Sequence, residues 1–159
     1  MSTGTTSNHP LPERSPENSV TVLSISPIEA DHVFLRNVFS HSNWRVHGVR
    51  SLREALAWLR WQHSPVVLCE ETLPDSGWKQ VLHEIASLRD PPVLIVTSRL
   101  ADEALWAEVL NLGAYDLLMK PFDLTEVFRV VSLAWRHWKN NWERARAIPP
   151  LAIRRALTA

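Results

Sequence analysis

Short apolar runs alternate along the chain with segments in which apolar residues recur every three or four positions. The runs are rich in Val, Ile and Leu, as buried strands are, and the longer-period segments are typical of helices with one buried face. The predicted strands cover residues 20–25, 44–49, 65–69, 93–97 and 115–119. The predicted helices cover residues 30–39, 52–59, 78–88, 101–112 and a long segment from 123 onwards. Five strands that alternate with five helices predict one parallel sheet covered by helices on both faces.

Several helix ends carry recognisable signals. The sequence Ser51-Leu52-Arg53-Glu54 has the form of a capping box, in which the serine and the glutamate bond backbone N–H groups at the helix start. Gly113 is placed to end the fourth helix. The fifth helix begins among acidic residues and meets no breaker before Pro149, so it is predicted to be long.

The chain divides into three parts by composition. Residues 1–18 are mostly Ser, Thr, Pro, Asn and Glu, and such a segment is predicted to be a disordered tail. Residues 19–138 contain the strands and helices of one domain, and residues 139–159 form a helical extension with a basic C-terminal tail. Nothing after residue 125 is long enough for a separate DNA-binding domain, so a conventional two-domain transcription factor is not expected.

Composition excludes several classes of protein. Lys plus Arg and Asp plus Glu both number 17, so the overall charge favours neither nucleic acid nor a membrane surface as partner. No apolar run approaches the roughly 18 residues that a membrane helix needs. The single Cys69 cannot form an intramolecular disulfide, and we expect a soluble, cytoplasmic protein. The seven His have no convincing metal-ligand spacing, and we expect them at the surface or half buried.

Candidate site residues follow from the predicted sheet. Ligands of parallel sheets bind at the carboxyl ends of the strands, where this chain places Ser26, Pro27, Glu70, Thr97 and Lys120. Lys120 directly follows a buried strand, and its ammonium needs an anionic partner because a buried unpaired charge is costly.

Four short motifs resemble the receiver domain of bacterial response regulators. They are Leu73-Pro74 after the third strand, the apolar run Val93–Thr97 with its terminal hydroxyl, Gly113-Ala114, and Lys120-Pro121-Phe122. The resemblance covers about residues 19–138. It implies an α/β fold with a doubly wound five-stranded parallel sheet, the flavodoxin-like (βα)5 receiver fold.

The resemblance implies a role for each strand-end residue. Glu70 stands at the position of the aspartate that accepts a phosphoryl group, and Thr97 and Lys120 match the residues that contact its oxygens. Ser26 and Pro27 stand where the family has two acidic Mg²⁺ ligands, and neither can replace a carboxylate. Leu117 stands at the position of the aromatic residue that rotates in the switch.

These departures favour a degenerate receiver that does not depend on phosphorylation. The nearby carboxylates that could substitute for the acidic pair, Glu29, Glu71 and Asp75, are not at matching positions. We expect Glu70 to form an ion pair with Lys120, either to hold the fold or to lock the domain in one signalling state.

The last helix carries Trp135, Trp138 and Trp142 on one stripe at helical spacing. Such a stripe at the edge of a domain is a candidate interaction surface, for another protein or for the same helix in a homodimer. The alternative is that the tail folds back and buries these rings. The basic residues from Arg136 onwards could form a weak patch for nucleic acid or an acidic partner, but they are more typical of a solvated helix face, so nucleic acid is not the expected partner.

Three functions remain open. The leading hypothesis is a single-domain signalling module of a two-component or phosphorelay system that acts by protein–protein interaction, is not an enzyme and needs no cofactor. The alternative is a working phospho-receiver that takes phosphate from a histidine kinase and uses Mg²⁺. A flavodoxin-like binder of a small ligand is a third class, which the lack of a Gly-rich phosphate loop disfavours.

Overall fold

A computed structural model describes residues 19–147 of the 159-residue chain. The predicted disorder of residues 1–18 and the part of the predicted basic tail from residue 148 onwards concern residues outside this range.

Five strands and five helices alternate along the described residues, as predicted. The strands are β1 (Val20–Ile25), β2 (Trp44–Val49), β3 (Val66–Glu70), β4 (Val93–Ser98) and β5 (Asp116–Met119). The helices are α1 (Glu29–Val38), α2 (Leu52–Leu59), α3 (Trp78–Ala86), α4 (Glu103–Asn111) and α5 (Leu124–Ala147).

The strands form one parallel sheet in the order β2-β1-β3-β4-β5. One core cluster joins the sheet to α2, α3 and α4, and a second joins the opposite face to α1 and α5. The chain therefore adds β2 on one side of the central β1–β3 pair and β4 and β5 on the other. This confirms the predicted doubly wound α/β fold.

Capping interactions fix several helix ends. The Ser51 hydroxyl accepts a bond from the Glu54 N–H at 3.2 Å, and the Glu54 carboxylate accepts one from the Arg50 N–H at 2.9 Å, so the predicted capping signal is confirmed. Asp102 caps α4 through the Leu105 N–H at 2.7 Å, which is why that helix begins two residues later than predicted. Gly113 has φ 101°, a left-handed conformation that suits glycine at a helix end.

The loop between β3 and α3 is tied to a neighbouring helix. The Asp75 carboxylate accepts hydrogen bonds from the Leu52 and Arg53 N–H groups, both at 3.1 Å, at the start of α2. Desolvation has the largest single effect and raises the pKa of Asp75, but the backbone hydrogen bonds and one from the Ser76 hydroxyl together outweigh it and hold the pKa below its usual value. Asp75 therefore acts as a second cap of α2, supplied from a distant part of the chain.

His32 contradicts the expectation that every histidine lies at the surface or half buried. Its side chain is fully buried, with Nδ1 2.9 Å from the Ser24 hydroxyl and Nε2 2.9 Å from the Ser26 carbonyl oxygen. A β-carbon on Gly48 would lie 2.8 Å from the imidazole, so the ring occupies the space that a side chain there would fill. The glycine in β2 thus makes room for a buried polar ring.

Candidate functional site

The site lies at the carboxyl edge of the sheet, where β1, β3, β4 and β5 end side by side. Glu70 and Thr97 are register partners on β3 and β4, and the Thr97 hydroxyl donates to the Glu70 carboxylate at 3.0 Å. The Lys120 N–H donates to the Ser98 carbonyl oxygen at 2.9 Å, which fixes the lysine next to the end of β4. The predicted strand-end residues Glu70, Thr97 and Lys120 are therefore brought together.

The Lys120 ammonium forms ion pairs with two carboxylates, those of Glu70 and Asp31. The side chains of Lys120, Asp31 and Glu70 are only 2%, 9% and 14% exposed, so the group is shielded from water. Asp31 also accepts a hydrogen bond from the Ser26 hydroxyl at 2.7 Å. We call Asp31, Glu70 and Lys120 the ion-pair triad. It carries one positive and two negative formal charges, a net charge of minus one.

Asp31 is the site residue that sequence reasoning missed. It lies in the first turn of α1 and not at a strand end, so comparison with the family's strand-end positions does not find it. A signal was present, because Asp31 precedes the buried Leu35 by four residues and so shares its face of the helix. A carboxylate on the buried face of a helix needs a cation, and Lys120 supplies it.

The three carboxylates considered from the sequence as substitutes are engaged elsewhere. Glu29 pairs with Arg36 at 3.5 Å on the exposed surface of α1. Glu71 accepts a bond from the Ser98 hydroxyl at 2.6 Å, and Asp75 caps α2. Asp31, five residues after Ser26, is therefore the carboxylate that contacts Lys120 near the end of β1.

The residues at the site do not suit the Mg²⁺ ion that the family resemblance implies. The Ser26 hydroxyl is used by Asp31 and by the Ile28 N–H, and Pro27 offers no side-chain ligand. Both nearby carboxylates already share Lys120. Among residues 19–147, no group of three or more His, Cys, Asp or Glu side chains could hold a metal ion. A cation here would have to share both carboxylates with the lysine ammonium.

Leu117, at the position of the family's aromatic switch residue, lies half buried on the α4 side of the sheet. With Trp106 and Met119 it lines a surface groove of about 320 Å³, which we call the α4–β5 groove. Trp106 and Met119 are 51% and 63% exposed, which is high for large apolar side chains. The groove therefore combines the aliphatic Leu117 with the aromatic Trp106 and the thioether of Met119.

The three tryptophans of the last helix are half buried. Trp135 packs against the core and meets Trp44 edge to face, with ring centroids 5.7 Å apart. Trp138 and Trp142 are stacked at 5.9 Å, and Trp138 also contacts His63 at 5.1 Å. Part of the predicted aromatic surface is thus used inside the domain.

Cys69 is buried in the core beside the site. Burial, followed by the nearby charges of Glu70 and Asp75, raises the pKa of the thiol well above its usual range. The thiol is therefore protonated at neutral pH and suits a structural role.

Comparison with known proteins agrees with this fold. The curated relatives include the regulatory protein AtoC of Escherichia coli, 29% identical over 100 residues, and protein CcdB of Bacillus subtilis, 25% identical over 117 residues. These alignments cover 63% and 73% of this chain, and they span 22% of AtoC and 98% of CcdB. This chain thus spans less than a quarter of the length of AtoC.

A solved structure and a family profile extend the comparison. A signal receiver domain from Vibrio parahaemolyticus matches with a TM-score of 0.73 and 18% identity, over 82% of this chain and 99% of that one. The profile of the response regulator receiver domain matches residues 30–132. Because that match covers more than half of the chain, the protein belongs to the response regulator receiver domain family.

Proposed function

We propose that this receiver domain is a protein-interaction module of a two-component or phosphorelay system whose state does not depend on phosphorylation. The observation that carries the proposal is the ion-pair triad, in which Asp31 and Glu70 occupy the ammonium of Lys120. The lysine that would contact a phosphoryl group in the family resemblance thus already has two anionic partners within the chain.

Electrostatics disfavours phosphoryl transfer at this site. A phosphoryl group brings further negative charge to a triad whose net charge is already minus one. Attack by Glu70 would have to come from Oε1, because Oε2 is held by both Lys120 and the Thr97 hydroxyl. Breaking a buried ion pair costs about 3–5 kcal/mol because one charge is left without a partner. The triad therefore stabilises one arrangement of the strand ends.

The module is not an enzyme under this proposal, and its partner is a protein. A cytoplasmic histidine kinase or another signalling protein of the same pathway is the expected class of partner. The α4–β5 groove is the proposed contact surface, because Trp106 and Met119 expose apolar area beside half-buried Leu117.

A second copy of the chain is the proposed partner for another surface. Leu124, Phe128 and Leu133 are exposed along one side of α5 and line a common depression with Arg129 and Arg136. We call this surface the α5 stripe. It differs from the predicted Trp135, Trp138 and Trp142 surface, whose rings are half buried. A homodimer through the last helix would use the α5 stripe.

The decisive experiment is phosphorylation with a small-molecule acyl phosphate donor in the presence of Mg²⁺, followed by intact-mass measurement. We expect no phosphoryl adduct on the wild-type chain. The matched control is a chain with Glu70→Asp, Ser26→Asp and Pro27→Asp, which restores the family's carboxylates, with its folding checked by circular dichroism.

A hydroxylamine-sensitive phosphoryl adduct on wild-type Glu70 would overturn the proposal and favour a working phospho-receiver. Tryptophan fluorescence gives a second readout, because the buried Trp78 is the first residue of α3 and directly follows the loop beside the site. A saturable change on adding Mg²⁺ with beryllofluoride would contradict the proposal in the same way, whereas a flat response supports it.

A further inference from the structure

A groove lies at the opposite edge of the sheet from the ion-pair triad. It is formed between α5 and the loop that enters β4, and Trp138, Trp142, Arg89, Pro91 and Arg146 are among its lining residues. Its volume is about 220 Å³. Small-molecule pockets are larger, roughly 300–1,000 Å³. We call it the tryptophan groove.

The chemistry of the tryptophan groove suits a proline-rich segment. Aromatic-lined grooves bind proline-rich segments in the extended polyproline II conformation, which costs little entropy to order. Here two stacked indole rings form one wall, and the guanidinium of Arg146 lies 3.9 Å from the ring centre of Trp142. Arg89 and Arg146 outnumber the one acidic lining residue, Asp90, so the groove is net positive.

The chain itself contains a segment of this kind. Residues 9–17 read His-Pro-Leu-Pro-Glu-Arg-Ser-Pro-Glu, with three prolines and two glutamates against one arginine. This segment is attached to the start of β1, at the edge of the sheet that also carries the start of β4. Two strand spacings separate β1 from β4, about 10 Å in all. Residues 9 and 17 lie eleven and three positions before Val20, so they can reach about 36 Å and about 10 Å from it, which spans this separation.

We propose that residues 9–17 dock in the tryptophan groove of the same chain. The groove offers Trp138 and Trp142 as an apolar surface for the prolines, and Arg89 and Arg146 as cationic partners for Glu13 and Glu17. Attachment to the same domain gives the segment an effective concentration in the millimolar range, so that even weak contacts suffice for occupancy. The inference does not depend on whether Glu70 accepts phosphate.

The test places a nitroxide spin label on the N-terminal segment of the full chain. Ser15→Cys supplies the attachment point, and Cys69 stays unlabelled because its thiol is buried and protonated. The indole N–H signals of the eight tryptophans are then recorded by NMR. We expect strong broadening of the Trp138 and Trp142 signals and none for Trp106, which lines the α4–β5 groove.

A matched variant separates docking from chance encounters. In the labelled chain, Pro10→Ser, Pro12→Ser and Pro16→Ser keep length and charge but remove the preset backbone conformation. Each proline contributes about 0.4–1 kcal/mol in this way, so the equilibrium constant for docking should fall about tenfold or more and the broadening should weaken. Equal broadening with and without the prolines would overturn the proposal.

A mixed sample identifies the source of the bound segment. Spin-labelled chain without ¹⁵N is added to ¹⁵N-labelled chain without the spin label. We expect no broadening of Trp138 or Trp142 in this mixture, because docking within one chain brings no label near them. Broadening in the mixture would show that a second copy supplies the segment, and would overturn docking within one chain.

Discussion

Asp31 and Lys120 lie 89 positions apart in the sequence and form a buried ion pair at the carboxyl edge of the sheet. The pair joins the first turn of α1 to the residue that follows β5. Glu70 binds the same ammonium from the end of β3. One cation thereby connects three separate parts of the chain.

Replacing the shared cation should be more damaging than replacing either anion. Lys120→Met leaves two buried carboxylates without a counter-charge, and we expect a loss of about 3–5 kcal/mol in the free energy of unfolding. Asp31→Asn leaves Lys120 paired with Glu70, and we expect a loss of about 1 kcal/mol. Urea unfolding at pH 7 measures both. Equal stability of Lys120→Met and wild type would show that the triad does not hold the fold.

Gly48 should tolerate no side chain while His32 is present. The added methyl group of Gly48→Ala would meet the buried imidazole at 2.8 Å, and overpacking of this kind costs about 1–3 kcal/mol. In the double variant with His32→Ala the clash is absent, so the two effects should not add. A double-mutant cycle by thermal or urea unfolding measures this coupling. Strict additivity would contradict the contact.

Asp75 should give a pH-dependent contribution to stability. Its folded-state pKa is lowered, so its stabilising effect is complete above the unfolded value of about 3.9 and is lost as the pH falls through the folded value. Asp75→Ala should therefore cost about 1 kcal/mol at pH 7, typical of a lost helix cap. The difference from wild type should shrink as the pH falls below the unfolded value and vanish once the pH lies below the folded-state pKa. A difference that stays constant with pH would argue against the carboxylate as the cap.

The α5 stripe should mediate any self-association of the chain. Leu133→Glu places a charge in the exposed apolar depression of α5, and we expect the dimer dissociation constant to rise about tenfold or more. Asn140→Glu adds the same charge at an exposed polar position of the helix and should have little effect. Sedimentation velocity over a range of concentrations measures both. A wild-type chain that stays monomeric at the highest concentration would refute the proposed homodimer.

The regular elements could be predicted from the sequence because they depend on local patterns. The bounds of β1 and β2 agree with the apolar runs, and Ser51 caps α2 as its motif indicates. The ion pair between Glu70 and Lys120 was also predicted, because both residues end buried strands.

Tertiary pairings were harder to predict. Asp31 reaches the site from a helix, and its partner is distant in sequence. His32 is buried because a glycine of a neighbouring strand leaves space for it, and Asp75 caps a helix to which no local motif connects it. Each of these contacts depends on the assembled sheet, which brings the partners together.

The length of α5 has a mechanical consequence. The helix has 24 residues and is about 36 Å long, whereas a six-residue strand of the sheet is about 20 Å long. It begins just after the Lys120-Pro121 turn and its later turns form one wall of the tryptophan groove. Because the helix is this long, a tilt of about 5° about one end displaces the other end by about 3 Å. Small displacements of the start of α5 near Lys120 would thereby widen or narrow the tryptophan groove.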